Sequence, residues 1–357
     1  MATVHQAEVL IIGGGIAGLS TARHLARGGQ GGVVLLDREE LPGFYASGHN
    51  AGIARQLTGV AEHTALTVEG CARLHAAGLV DGRGGILLGL EQGGTEALAA
   101  EAAAFGLPFA RLAGSPYPEL LAEEQLRVPS DGEIDTDGLL RFCAEGAREA
   151  GARLAFGVEV RGVHPGPEGF EVETSGGTWR TRILVNAAGA WARELGRWAG
   201  GLDLAFRPLR RHLVWSSAPS PSERPYTWWA DQPLYVRPES GGLLLCACEE
   251  EEVPLPGPHR QPEVCEAVLE RLADLLGRCA PALAERPIAR LWCGLRTFAP
   301  DRRFLIGRDP LNPRLFWVAG LGGHGMTSGL AVGALAARVL LEGTSAGPLD
   351  PARFLPS

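Results

Sequence analysis

The stretch from Val9 to Asp37 leaves a chain of this kind few choices of fold. In "VLIIGGGIAGLSTARHLARGGQGGVVLLD", Val9 to Ile12 is a short apolar strand. Gly13 to Gly15 turns, Ala17 to Arg27 has helical spacing, and "GGVVLLD" is a second buried strand ending at Asp37. Strand, helix, strand is a βαβ unit, whose two strands run parallel. Gly13, Gly15 and Gly18 within it form G-x-G-x-x-G. The first glycine permits the tight turn, the second lets the backbone approach a pyrophosphate, and the third lets helix and strand pack closely. The helix N-terminus then turns free N–H groups toward the phosphates. Asp37 stands where a carboxylate hydrogen-bonds a ribose. The unit therefore calls for a Rossmann-like domain and a bound dinucleotide.

A second glycine turn follows far along the chain. "GLGGHGMTSGL", Gly320 to Leu330, lies between "LFWVA", a buried strand, and "AVGALAARVLLEG", a helix. Other pieces share the style of the opening unit. "EIDTDGLLRFCAEGAREAGARLAFGVEV" reads as a helix capped by Thr136 or Asp137 and stopped at Gly151, then a strand. "ILVNAAGAWA" is a buried strand running into small residues. Between about 206 and 290 the character changes. "LRRHLVWSS", "YTWWADQPLYVRP" and "GGLLLCACEE" alternate as strands, and "PESGG" is a hairpin turn. "PEVCEAVLERLADLLGRC" has helical spacing through Val264, Val268, Leu272 and Leu275. The expected architecture is α/β, α+β overall. A discontinuous dinucleotide-binding domain (1–80, 135–205, 291–357) carries an inserted antiparallel-sheet substrate domain (81–134, 206–290).

Composition narrows the partners. The 357 residues are 45% hydrophobic and 21% charged, enough for one large or two ordinary domains. A net charge of −8 without a basic stretch argues against nucleic acid or an anionic membrane. All 33 basic residues are arginine, so no step can use a lysine amine. The seven cysteines include no CxxC and no zinc-type pair of pairs, so no metal site is expected and the thiols read as reduced. No signal peptide precedes the first strand. Leu330 to Leu341, the longest apolar run, is interrupted by Arg338 and too short to span a bilayer. The expected location is the cytoplasm, free or peripheral to the inner face of the membrane.

After the second strand the chain passes into the small-residue loop "SGHNAGI" rather than a third βα unit. With "IIGGGIAGLSTARHLA", "LVNAAGAWA", "LYVRP", "WCGLRTFAPDRRFLIG" and "GLGGHGMTSG" in that order, the sequence resembles the FAD-dependent oxidoreductases of the D-amino-acid oxidase superfamily. That group includes glycine oxidase, sarcosine oxidase and the bacterial D-amino-acid dehydrogenases. The resemblance covers nearly the whole chain, and the D-amino-acid dehydrogenase branch, including the D-arginine type, looks closest. It implies FAD at both glycine turns. Gly13, Gly15, Ile16, Ala17 and Gly18 would hold the pyrophosphate, with Asp37 and Arg38 at the AMP ribose and Val160 near the adenine. Ser47, His49, Asn50, Ala51 and Gly52, with Ala188, Gly189 and Trp191, would approach the dinucleotide. Gly322, Gly323, His324, Gly325, Met326 and Thr327 would serve the isoalloxazine. Its N1/O2 edge becomes negative on reduction and suits a helix N-terminus.

The same resemblance places Arg296 and Tyr235 on the substrate carboxylate and His324 beside the reacting centre. Arg210 or Arg211 falls near a further arginine contact. Gly85 stands where enzymes for cationic D-amino acids have an acid, which argues against such substrates. Gly294 stands where the sarcosine-oxidase type has its flavin-bearing cysteine, so non-covalent FAD is expected. The acidic run Glu249 to Glu252 reads as a solvated turn. The implied activity is oxidative deamination of a small α-amino acid, D- or glycine-like, by hydride transfer from Cα to flavin N5. Imino acid, then keto acid and ammonia, would result. A quinone, a dye-like carrier or O2 would accept the electrons. Alternatives are oxidation of an N-methyl amino acid or a 2-hydroxy acid, and a flavin-binding subunit of a larger complex.

Overall fold

The computed structural model describes residues 3–217 and 219–355. The opening unit is β1 (Val4–Ile12), α1 (Ile16–Arg27) and β2 (Val33–Leu36). β1 and β2 run parallel, with Val9 opposite Val33 and Ile12 opposite Leu36. They belong to an eight-stranded sheet that also contains β6 (Arg153–Ala155), β7 (Val160–Gly166), β8 (Gly169–Thr174), β9 (Gly177–Asn186), β16 (Leu305–Arg308) and β17 (Leu315–Ala319). Its central order is β16-β17-β9-β1-β2-β6, and β7 and β8 fold back on β9 as an antiparallel meander.

Strand alternation sorts the residues of β1 onto two cores. Val9 and Ile11 face one side, packed by α1, α2 (Ala61–Ala76), α4 (Thr136–Glu149) and α7 (Gly325–Glu342). Leu10 and Ile12 face the other, covered by the meander and α5 (Ala192–Trp198). Both faces are buried, which is why β1 and β2 read as unbroken apolar runs. Asp135 caps α4, its Oδ1 accepting from Gly138 N–H at 2.9 Å. The cap is thus one residue before the expected Thr136 and two before the alternative Asp137.

α7 is long and apolar enough to cross a bilayer by composition, the one such helix among the described residues, yet two thirds of that stretch is buried inside the fold. It lies against α1, and small residues make the close approach possible. A Cβ on Gly329 would overlap the Ile16 side chain, and one on Gly333 would come within 2.6 Å of the Ser20 backbone carbon. The consequence is that α1 and α7, each opened by a glycine turn, begin side by side. Gly325 at the start of α7 lies 3.5 Å, measured from an ideal Cβ, from the Ile16 side chain that opens α1.

The second sheet has nine strands: β3 (Gly85–Gly89), β4 (Ala110–Ala113), β5 (Glu124–Val128), β10 (Arg207–Ser216), β11 (Tyr226–Trp229), β12 (Tyr235–Glu239), β13 (Gly242–Cys246), β14 (Glu251–Glu252) and β15 (Ile288–Phe298). It is not purely antiparallel, because β11 pairs parallel with β3. β12 and β13 form the expected hairpin, with Ser240 (φ 48°) and Gly241 (φ 79°) as its two-residue turn. Positive φ at both turn residues matches the right-handed twist of the strands. α6 (Ala267–Cys279) covers one face with Val268, Leu272 and Leu275, while Val264 lies outside the helix and is exposed. The other face carries Tyr235, Leu213, Leu244 and Cys246 toward the first domain. A second helix, α3 (Glu96–Ala104), packs on β3 and β5 through Ala99 and Ala102.

One expected boundary changes. β15 pairs along β10, with Arg211 opposite Gly294 and Leu209 opposite Arg296. Residues 291–298, expected in the dinucleotide domain, therefore belong to the second sheet. Their local pattern is that of any buried strand, and only the distant partner β10 decides which sheet they join.

The helix crossing generates a stability prediction. Gly333→Ala forces a Cβ into Ser20 and should cost about 1–3 kcal/mol, the usual range for overpacking. Thermal unfolding of the variant beside the parent checks this; an unchanged Tm would mean that the crossing can relax.

Candidate active site

Two cavities meet between the sheets, and they share Gly15, Ser47, Gly189 and Thr297 as walls. The first, about 500 Å³, runs from the α1 turn past Asp37 and Arg38 to Val160 and Trp191, with Gly13, Ala188 and Gly189 along it. The second, about 390 Å³, is lined by Ile16, Ala17, His49, Asn50, Ala51 and Gly52. Gly294, the segment Gly322–Thr327, Tyr235 and Arg296 complete it. Gly18 lines neither, for a Cβ there would overlap the Gly13 carbonyl, so its role is packing. Every other residue named from the sequence as cofactor-binding or catalytic borders one cavity or both.

The glycines of the first turn divide their work. Gly13 (φ 120°) is closed in by the Ala187 carbonyl. Gly15 is open except toward Ser47, whose Oγ is 3.1 Å from an ideal Cβ. Ser47 Oγ accepts from the Ile16 N–H at 3.0 Å and so satisfies one of the free donors at the start of α1. Asp37 accepts from Gly14 N–H and, at 2.7 Å, from Glu39 N–H. Burial pushes its carboxyl above the usual range, against those two hydrogen bonds. Farther along, the Arg38 guanidinium stacks 3.9 Å from the Trp191 ring and donates to the Tyr45 hydroxyl at 2.9 Å. Tyr45 in turn donates to Glu39 at 2.6 Å, and His259 Nδ1 meets the same carboxylate at 2.8 Å. That contact straps the segment bearing Pro256 and Pro258 across the cavity mouth. The cavity has the length, open glycine backbone, helix N-terminus and ring-stacking end that the adenosine and pyrophosphate of a dinucleotide require.

The second cavity is dominated by charge. Arg55, Arg211, Arg296 and Arg302 line it, with Glu250 as the carboxylate among them. Arg211, on β10, turns inward and donates to the Cys248 carbonyl at 2.8 Å. Its neighbour Arg210 points to the opposite face, onto Glu251 at 2.6 Å. That settles which of the two borders the cavity. Arg296, on β15, lies beneath the second turn, where Gly323 (φ 92°) has no Cβ to collide with it. Burial, and then Arg211, bring the Arg296 guanidinium down to about 10, so it remains charged at neutral pH. Its Nε is buried without a hydrogen-bond partner. Tyr235 is buried beside Trp228, with ring centroids 4.6 Å apart, and Arg55 lies 4.1 Å over Trp228. A buried fork of cationic donors with a phenol beside it can hold a carboxylate.

The acidic run is solvated only in part: Glu250, Glu251 and Glu252 are exposed, while Glu249 is buried and Glu250 also turns to the arginines. Glu249 is bound to His212 Nδ1 at 2.8 Å, and Glu250 reaches Arg296 and Arg302 at 3.0 Å. The sequence also left Arg55, Arg302 and Trp228 unmarked; nothing local distinguishes them from surface or core residues. Cys293, one residue from Gly294, turns its Sγ to the Pro262 carbonyl at 3.3 Å, away from the cavity. All seven cysteines are free thiols, and the described residues contain no cluster suited to a metal ion.

His324, expected beside the reacting centre, ends the second turn just before α7. Burial, then Arg55, His63 and Arg296, push its imidazole well below the usual value, so it is neutral. His63 behaves alike: it stacks on Phe304 with centroids 3.9 Å apart, accepts from Phe304 N–H at 3.2 Å, and is pushed down to about 4 by burial. A histidine with a depressed pKa stabilises the fold above its unfolded value near 6.5. That stability is lost as the pH falls toward the folded value, because the unfolded chain takes up the proton first. Lowering the pH from about 7 to about 5 should therefore cost on the order of 2 kcal/mol from His63. Denaturant titrations of the parent and of His63→Asn should show a smaller acid loss in the variant; equal losses would clear His63.

A family model described as "DAO: FAD dependent oxidoreductase" matches residues 8–339. The mitochondrial dimethylglycine dehydrogenase of Mus musculus is 29% identical over 98% of this chain and 44% of its own length. The glycine oxidase of Geobacillus kaustophilus is 29% identical over 66% of this chain and 61% of its own. The chain thus spans less than half the length of the dimethylglycine dehydrogenases it matches. Among solved structures, L-proline dehydrogenase from P. horikoshii superposes with a TM-score of 0.85 at 23% identity, covering 99% of this chain and 98% of that one. G. kaustophilus glycine oxidase gives 0.82 at 24%, covering 99% and 100%. These two likenesses concern the fold.

Proposed function

The chain belongs to the DAO family of FAD-dependent oxidoreductases, and on that premise we propose that it oxidises the C–N bond of a small α-amino acid. The observation that carries this reading is the largely covered guanidinium of Arg296, its side chain 18% exposed and its Nε buried, with Arg211 and Tyr235 beside it under the second glycine turn. FAD held at the two glycine turns would supply the two-electron oxidising capacity that such a reaction needs.

The residues of the chain bind and orient. Arg296 and Arg211 hold the substrate carboxylate, and the Tyr235 hydroxyl donates to it. Fixing the carboxylate at two points sets the C–H bond toward the ring system, and orientation of this kind accounts for much of catalysis. The amine reacts neutral, its lone pair forming the C=N bond as the hydride leaves. His324 and His63 are held neutral, so neither adds a repelling charge to the cationic imine product. Water then hydrolyses the imine. The N–H groups at the start of α7, on the wall of the second cavity, would stabilise negative charge gained by a ring bound there. Among the described residues no cysteine lines this cavity, and Gly294 stands on its wall, which supports non-covalent attachment.

Two branches of substrate are consistent with the clamp. If the hydride leaves Cα, a glycine- or D-amino acid gives a keto acid and ammonia. If it leaves an N-methyl group, a sarcosine-type substrate gives formaldehyde and the demethylated amine. The dehydrogenase and glycine oxidase relatives favour glycine-based substrates over the D-arginine type, as does the lack of an acid at Gly85. The test is anaerobic bleaching of the yellow protein by glycine, sarcosine, dimethylglycine, L-proline, D-alanine, D-arginine and lactate, with ammonia and formaldehyde measured. Bleaching by a carboxylate-bearing amine supports the proposal; bleaching by lactate alone makes the site one for 2-hydroxy acids.

Arg296→Lys should retain FAD yet bind substrate more weakly by about 2 kcal/mol or more, roughly thirty-fold, because a point charge cannot replace a planar fork. Steady-state kinetics beside the flavin spectrum decide this, and an unchanged kcat/KM would remove Arg296 from the site.

A further inference from the structure

We propose that Glu250 is a resident competitor for the substrate carboxylate, a specificity-determining residue that occupies the arginine nest until an incoming carboxylate displaces it. The proposal rests on the reading of Arg296 and Arg211 as the carboxylate clamp. Glu250 Oε1 accepts from Arg296 Nη2 at 3.0 Å, and its two oxygens accept from Arg302 Nη2 at 3.0 and 2.9 Å. Arg211 Nη2 lies 3.8 Å away. Three guanidiniums therefore converge on one carboxylate in the cavity where a substrate carboxylate must bind.

The fit of Glu250 is incomplete. The Nε and Nη2 of an arginine form one edge of its planar fork, suited to two parallel bonds to a carboxylate. Glu250 takes Nη2 and leaves Arg296 Nε buried without a partner. A buried donor without an acceptor is costly, so a free carboxylate that completes both bonds gains what Glu250 cannot.

The neighbours of Glu250 define how it leaves. Glu249 is fixed by His212, and Glu251 by Arg210 and by its pairing with β10. The carbonyls of Cys248 and Glu249 accept from Arg211 at 2.8 and 3.3 Å. The backbone is thus pinned on both sides, and the movement available is rotation of the Glu250 side chain. That side chain is 34% exposed and its partner Arg302 49%, so both can turn to water together. Burial raises the Glu250 carboxyl, but Arg296 and Arg302 outweigh it and keep it below its usual range, so the competitor is charged at neutral pH. A ligand lacking a carboxylate has nothing to exchange for it and is excluded.

The experiment uses the FAD-loaded protein and acetate as probe, read by perturbation of the flavin absorbance without turnover. Glu250→Gln keeps the size and removes the charge. Its acetate Kd should fall about tenfold, the scale of a partly exposed ion-pair network no longer to be displaced. Acetate binding that is unchanged or weaker in Glu250→Gln overturns the proposal and makes Glu250 an organiser of the arginines. Arg296→Lys in the Glu250→Gln background should abolish the gain. If the gain survives, Arg296 is not the clamp, and that failure belongs to the functional reading rather than to competition by Glu250. A Tm and FAD content equal to the parent's establish that the variant is folded.

Discussion

Everything in the site depends on how closely α1 and α7 cross. Gly329 and Gly333 present no side chain to Ile16 and Ser20, so the helices touch backbone to side chain over their first turns. Their N-termini then open on one continuous space, although the two glycine turns are some three hundred residues apart in sequence. A long dinucleotide needs separate support at each end, and on the proposed reading the two helix starts would provide it, one at the pyrophosphate and one at the ring that accepts electrons. β15 adds the third wall. It is a strand of the second sheet, yet it carries Gly294 against the His49 carbonyl and Arg296 beneath Gly323, and so joins both domains at the cavity.

The charges around that cavity form one system. Four arginines would repel one another without a counter-ion, and Glu250 supplies it from a loop pinned by Arg211 itself. The same positive field, with burial, keeps His324 neutral. The described charges lining the cavity are therefore mainly positive, with Glu250 as the carboxylate among them. Fixed guanidiniums and not a titrating histidine set the electrostatics there.

What the sequence disclosed follows from how local each signal is. The βαβ unit was legible because strand period, glycine spacing and the terminal Asp37 lie within thirty residues. The hairpin at Ser240 and Gly241 was legible for the same reason, since two residues determine the turn. β15 was misassigned because its partner β10 is some eighty residues away and any buried strand has the same pattern. Arg210 and Arg211 could not be told apart, because alternation gives the period of a strand but not its phase; the pairing of Arg210 with Glu251 fixes the phase. Glu250 is exposed as an acidic run suggests, but its pairing was not legible, because the arginines of β15 and the following turn come to it only in the fold. The cap of α4 slipped by one residue, from Thr136 to Asp135, as caps do where several polar residues adjoin.

The central claim is that the two glycine turns hold one FAD, with a carboxylate site beneath its ring. The most direct measurement is a crystal structure of the FAD-loaded protein. The account predicts a single FAD, its pyrophosphate at Gly15 and the start of α1, its adenine toward Val160 and Trp191, and the N1/O2 edge of its isoalloxazine at the Gly322–Thr327 turn with Arg296 facing the ring. A ring lying away from that turn, or a nucleotide confined to the first cavity, would contradict it.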